Sequence, residues 1–229
     1  MEHSSSFCFT IDQDGKCISA KRPKYILYES GIYPLVQFAD ELESLNDYCY
    51  CVVQSINKEL LGIREEVDVH RKNPRDIRDD FATSGEAMLG LESSLYKWEW
   101  LFDITAAHLV ILLYSYLEKT LKYIFKWYMD KKLITINYRN RKPIINYWLY
   151  NILNTDDETF ENSQPYTYRV LNEARRMRNN FAHDNLEGVD LNNSDYVYTE
   201  RKCDPTFKLI DFINSISEIL YNVEKVFSP

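Results

Sequence analysis

Asp103-Ile-Thr-Ala-Ala-His-Leu-Val-Ile-Leu-Leu-Tyr-Ser-Tyr-Leu117-Glu118 decides the fold. Between Asp103 and Glu118 no residue is charged, and apolar side chains fall on nearly every face of a 3.6-residue period. A helix that is apolar all round belongs in the middle of a protein core. The uncharged run from Ile104 to Leu117 is 14 residues long. That is shorter than the roughly 20 residues a bilayer span requires, so a buried central helix is expected and a membrane span is not.

Amphipathic helices surround this segment in the sequence. Pro34 suits the first turn of a helix. From there Leu35, Phe38, Leu42, Leu45, Cys49, Val52, Ile56, Leu60, Ile63 and Val67 recur at gaps of three and four, one apolar stripe running to Asn73-Pro74. Thr83-Ser-Gly-Glu86 reads as a capping box, opening a helix through Trp98 and Phe102. The central helix runs to about Met129, and the pattern leaves open whether these two are continuous or broken near Asp103. Asn137 to Lys142 reads as a polar loop, Pro143 to Leu153 as a short helix, and the acidic Asn154 to Ser163 as a surface connection. Pro165 opens a helix carrying Val170, Ala174, Met177 and Phe181. Asn185 to Cys203 is loop-like, and Asp204-Pro205 starts a final helix with Phe207, Ile210, Ile213, Ile216, Leu220, Val223 and Phe227.

The N-terminal segment differs. Two short β-prone runs, Phe7 to Ile11 and Lys16 to Ala20, flank Asp12-Gln-Asp-Gly15 and predict a small hairpin. The expected organisation is therefore an N-terminal hairpin or extension over 1–33 and an all-α bundle of five or six helices over 34–229.

Composition narrows the function classes. Of 229 residues, 45% are hydrophobic and 27% charged, an ordinary globular balance. A net charge of −8 argues against a protein that coats nucleic acid non-specifically. It leaves room for local basic surfaces: Lys119, Lys122, Lys126, Lys131, Lys132, Arg139, Arg141 and Lys142 lie close together, as do four arginines between Arg169 and Arg178. The five cysteines form no CxxC pair, which fits a reduced, cytoplasmic protein without a zinc site. The opening Met-Glu-His-Ser-Ser-Ser lacks the basic and apolar regions of a signal peptide.

Histidine is scarce: His3, His70, His108 and His183. His3 sits at the terminus, His70 at the end of a helix beside Arg71 and Lys72, and His108 in the apolar run, where a core histidine is expected. His183 stands in Arg175-Arg-Met-Arg-Asn-Asn-Phe-Ala-His183-Asp-Asn. Imidazole titrates near neutrality and serves as general base or acid. A guanidinium such as that of Arg178 is permanently charged and grips phosphate through two parallel hydrogen bonds. Those two groups suffice for RNA cleavage: a base takes the ribose 2′-hydroxyl proton, the oxygen attacks phosphorus, and a cation stabilises the developing charge. With the nucleophile inside the substrate, no metal and no cofactor is required. Residues five apart differ by about 140° around a helix axis. Arg178 and His183 therefore meet only if the helix ends or kinks near Ala182, or if two copies assemble the site across a two-fold axis.

Arg178-Asn-Asn-Phe-Ala-His183 resembles the Arg-x(4–6)-His motif of HEPN domains, the Asn after the Arg and the Ala before the His both matching common forms. Leu113-Tyr-Ser-Tyr-Leu-Glu-Lys-Thr-Leu121 resembles that family's core helix, which often carries an acid like Glu118. The resemblance spans about residues 80–227 and implies an α-bundle that commonly dimerises with its motifs facing each other. Many such proteins are metal-independent endoribonucleases of toxin–antitoxin and antiphage systems. It further implies His183 as catalytic base, Arg178 as the phosphate-contacting or structural cation, Asn179 as the polar residue beside it, and Glu118 as an ion-pair partner orienting Arg178. Arg175 and Arg176 are additional; with Lys122 they are expected to contact RNA. RNA, a second copy and an antitoxin or other regulatory protein are the implied partners. The tyrosine often found two residues after the His in toxins paired with a nucleotidyltransferase is Asn185 here, so control by adenylylation at that position is not implied. The alternative is a catalytically silent HEPN-like module that binds a nucleotide or a protein partner.

Overall fold

The computed structural model describes residues 10–11, 17–18, 32–73, 84–131, 133–137, 143–184 and 205–227, with the backbone alone at 10–11, 17–18, 54, 57, 84, 103, 106, 180–184, 205–208 and 210. Within these residues the protein is mostly helical, as an all-α bundle requires. Thr10–Ile11 (β1) and Cys17–Ile18 (β2) pair antiparallel, Thr10 opposite Ile18 and Ile11 opposite Cys17. Six helices follow: α1 Leu35–Lys72, α2 Ser84–Asp130, α3 Ile144–Leu153, α4 Asp157–Ser163, α5 Pro165–Asp184 and α6 Pro205–Phe227. The Asp12 to Gly15 turn, Thr83 of the expected capping box, Lys132, the Arg139 to Lys142 cations and the Asn185 to Cys203 segment lie outside the described residues.

The question left open at Asp103 resolves as continuity: α2 is one helix of 47 residues. Helix α1 lies antiparallel against it. Phe38 packs edge-on against Tyr123, with ring centroids 5.6 Å apart, and its carbonyl accepts the Tyr116 hydroxyl. Farther along, Glu41 pairs with Lys119 at 3.6 Å, Arg64 with Glu99 at 3.0 Å and Arg71 with Glu92 at 3.2 Å. As the residue number rises along α1, its partner's falls along α2. The apolar stripe of α1 faces this contact, with Leu35, Phe38, Leu42, Cys49, Leu60 and Val67 buried.

One seam on α2 steps by three and four residues: Ala107, Val110, Tyr114, Leu117, Leu121, Ile124 and Tyr128. All seven are buried, and α5 and α6 both pack on this helix. Phe227 of α6 stacks on Tyr128 at 3.5 Å between centroids. Continued toward the N-terminus, the same seam passes Trp100, Tyr96, Ser93 and Leu89. There it is uncovered, with Trp100 54%, Tyr96 72% and Leu89 67% exposed. Among the described residues the continuous core stops at Val53 on α1 and Ala107 on α2, and the rest of the two helices forms a helical arm beyond it.

Two expectations need correcting. Asn154 to Ser163 is not simply a connection, because it contains α4. Asp156 caps that helix, its carboxylate accepting the Thr159 N–H at 2.8 Å, and Asp157 and Glu158 fill a first turn where acids oppose the helix dipole. Phe160 is buried beneath Tyr150 and Tyr168. His108, expected in the core, is exposed, its Nδ1 3.0 Å from the Ile104 carbonyl oxygen. His108, Leu112 and Ser115 recur at gaps of four and three and are all exposed, so even this mostly apolar run keeps one strip toward solvent, and His108 lies on it.

By length and composition alone α2 could also cross a membrane. From Ala107 onward, however, the seam from Val110 to Tyr128 is buried against the other helices, the way a core helix is used.

Candidate functional site at the α2 and α5 interface

Helix α5 keeps Val170, Leu171, Ala174 and Met177 on one buried face. Arg178 follows at the border of that face, which brings it against α2. Its Nη2 lies 3.6 Å from Glu118 Oε2, with the two side chains 43% and 25% exposed. Its guanidinium also sits 5.8 Å from the centre of the Tyr114 ring, a cation–π contact. Tyr114 and Glu118 are one turn apart on α2, so ring and carboxylate hold the guanidinium from two sides. Arg178 Nη1 donates to its neighbour Asn179 Oδ1 at 3.5 Å, the limit of a hydrogen bond.

Tyr114 is a member of this site that the sequence did not single out. Its position one turn before Glu118 was a usable signal once Glu118 was paired with Arg178. Burial pushes its phenol up to about 12, Arg175 and Arg178 pull it down and Glu118 raises it, so the ring stays neutral at physiological pH. It acts as a wall and not as an acid or base.

The other candidates divide by their register on α5. Arg175, half-exposed, is close enough to act on Tyr114 and shares the Arg178 side of the helix. Arg176, exposed, lies about 160° around the axis from Arg178. Asn179 is exposed. The helix continues unbroken through Asp184, so His183 keeps helical register, about 140° from Arg178. In that register it falls within about 40° of Asn179 and about 20° of Arg176. Of the two ways of bringing Arg178 and His183 together, a helix end near Ala182 is therefore not what the chain adopts. The His183 side chain lies outside the described residues. Lys122, exposed, stands one turn beyond Glu118 on α2.

A cavity of about 460 Å³ lies elsewhere, on the arm, where Glu65, Glu66, Val69 and His70 of α1 face Leu91 of α2. It contains none of the arginines discussed above. Among the described residues no group of three or more His, Cys, Asp or Glu side chains is arranged to hold a metal ion.

No family model, curated protein or solved structure matches the chain. What the structure adds is the contact between Arg178 on α5 and Glu118 on α2.

Proposed function

We propose that the protein is a metal-independent endoribonuclease with a HEPN-like bundle, acting as a homodimer in the cytoplasm within a toxin–antitoxin or antiphage system. The observation that carries this reading is the Arg178 guanidinium, fixed by Glu118 at 3.6 Å and by the Tyr114 ring, on the helix that bears His183 one and a half turns later. His183 removes the proton of a ribose 2′-hydroxyl. The freed oxygen attacks the adjacent phosphorus, and the 5′-oxygen of the next nucleotide leaves and takes up a proton. The products carry a 2′,3′-cyclic phosphate and a 5′-hydroxyl. Arg178, half-exposed while paired, offers charge to the phosphorane without having to be ordered first. Asn179 donates or accepts a hydrogen bond beside it. Because α5 stays helical through Asp184, the two motif residues of one chain diverge, and a second copy supplies the facing residue.

The test is incubation of the purified protein with bulk tRNA in EDTA, beside Arg178→Ala and His183→Ala. Cleavage by the wild type alone, leaving cyclic phosphate ends, is the expected outcome. Undiminished cleavage by a clean His183→Ala preparation removes the catalytic assignment, and loss of activity in EDTA restored by a divalent ion replaces it with metal chemistry.

The second reading, a silent interaction module, is favoured by one observation: the uncovered seam at Leu89, Tyr96 and Trp100. An apolar surface of this kind commonly marks a binding face. It predicts no cleavage of any RNA, with Arg178→Ala lowering thermal stability only.

A further inference from the structure

One exposed face of α2 below the arm is basic and carries an aromatic ring. Lys119, Lys122, Tyr123 and Lys126 are all exposed there. Tyr123 is 45% exposed although it touches the buried Phe38 edge-on, at 72° between planes. The ring is anchored along one side and open on another. Lys122 adjoins it in sequence, and Lys126 stands one turn on, about 60° around the axis. Lys119 is engaged by Glu41 at 3.6 Å. The acids on this part of α2 are Glu118, which is paired with Arg178, and Asp130, one turn past Lys126. Lys122 lies about 6 Å along the axis from Glu118, so this face begins where the Arg178 site ends.

We infer that Lys122, Tyr123 and Lys126 hold the single-stranded RNA that enters this site, one base stacked on Tyr123 and the neighbouring phosphates on the two lysines. The inference rests on the ribonuclease reading for its destination but not for its binding chemistry. An aromatic platform flanked by cations is the arrangement that single strands use. A duplex offers Tyr123 no free base face, and the deep, narrow major groove of A-form RNA does not admit side chains for reading. With an overall charge of −8, RNA binding depends on local basic surface, and Lys122 and Lys126 supply it on this face.

The probe is a fluorescently labelled single strand of about 12 nucleotides, within the span such sites cover, with 2′-O-methyl riboses that cannot be cleaved. Binding is followed by anisotropy beside the same sequence as a duplex. Wild-type protein should prefer the single strand. Tyr123→Ala should weaken that binding about 5- to 100-fold, while Tyr123→Phe, which keeps the ring and the Phe38 contact, retains it. Replacing both Lys122 and Lys126 by Ala should flatten the dependence of log affinity on log salt by about 1.4, two contacts at about 0.7 each. Lys97→Ala, on the arm, should change neither. Binding that is indifferent to Tyr123→Ala, or equally tight for the duplex, overturns the inference, as does absence of binding. The outcomes separate from the cleavage test: ring-dependent binding without cleavage keeps this site and removes the nuclease, whereas cleavage with ring-independent binding does the reverse.

Discussion

Arg178 illustrates how little a charged contact has to contribute to stability in order to matter. A pair at 3.6 Å with both partners in reach of water is worth less than about 1 kcal/mol. What the contact does is orient: Glu118 and Tyr114 jointly hold the guanidinium, which is what the proposed function asks of it. Asp156 is a different kind of acid, a helix cap whose carboxyl is held below its usual value first by the Thr159 N–H. A depressed carboxyl favours the folded state above its ordinary pKa, and that help disappears as pH falls through the lowered value. We expect the helicity of α4 to weaken on acidification, and Asp156→Asn, which retains a capping oxygen without the proton, to remove that pH dependence. Amide exchange at Thr159 and Phe160 followed by NMR from neutral pH downward is the check; an identical acid response in the Asn variant would discount the cap.

At the level of elements, the long helices were legible because their apolar positions repeat often enough to fix a period. Leu35 to Val67 gives ten such positions in sequence, and α1 was readable to within a residue at its start. Helix α4 has seven residues and only Phe160 among them is apolar, so periodicity had nothing to count. Its signals were local instead: Asp156 before the first turn, two acids within it. Phe160→Ala should cost about 3–5 kcal/mol by denaturant unfolding, since a buried ring between Tyr150 and Tyr168 leaves a cavity. A cost under about 1 kcal/mol would mean that α4 packs only loosely. Asn46 of α1 is the opposite case. It is buried, and its side-chain oxygen finds no hydrogen-bond partner among the described residues. Replacement by Leu, close in volume, should leave stability unchanged or raise it by about 1 kcal/mol. A drop of several kcal/mol in the same assay would show that this amide is satisfied by an internal water.

For the whole molecule, the sequence foretold an all-α bundle and the structure has one, but the arm was not foreseen. The apolar stripe of α1 and the pattern through Trp98 and Phe102 look like any core helix pair, and nothing local says that other helices cover only one end of them. Burial beyond Ala107 depends on where α5 and α6 stop, which is a property of the tertiary arrangement. The candidate site was read from the sequence by residue type and spacing. The α5 motif and Glu118 could be named, whereas the divergence of Arg178 and His183 turned on whether α5 continued past Ala182. Under the proposed function the site is composite, and activity then depends on protein concentration. Specific activity should rise with concentration and level off as dimer forms, and sedimentation should show the same midpoint; a constant specific activity from a strict monomer would rule out the shared site.

Helix α2, at 47 residues, extends about 70 Å as one uninterrupted rod, yet it passes from a region enclosed by several helices to one braced, among the described residues, by α1. Unbroken hydrogen bonding does not make a rod uniform in persistence, because each turn opens when its own lateral support yields. Its amides should therefore fall into two kinetic classes with the boundary near Ala107: those toward Asp130 released to solvent only when the entire protein unfolds, and those toward Ser84 exchanging through a smaller, separate opening. The molecule would then report its own architecture along a single strand of backbone, a slow clock at one end and a fast one at the other.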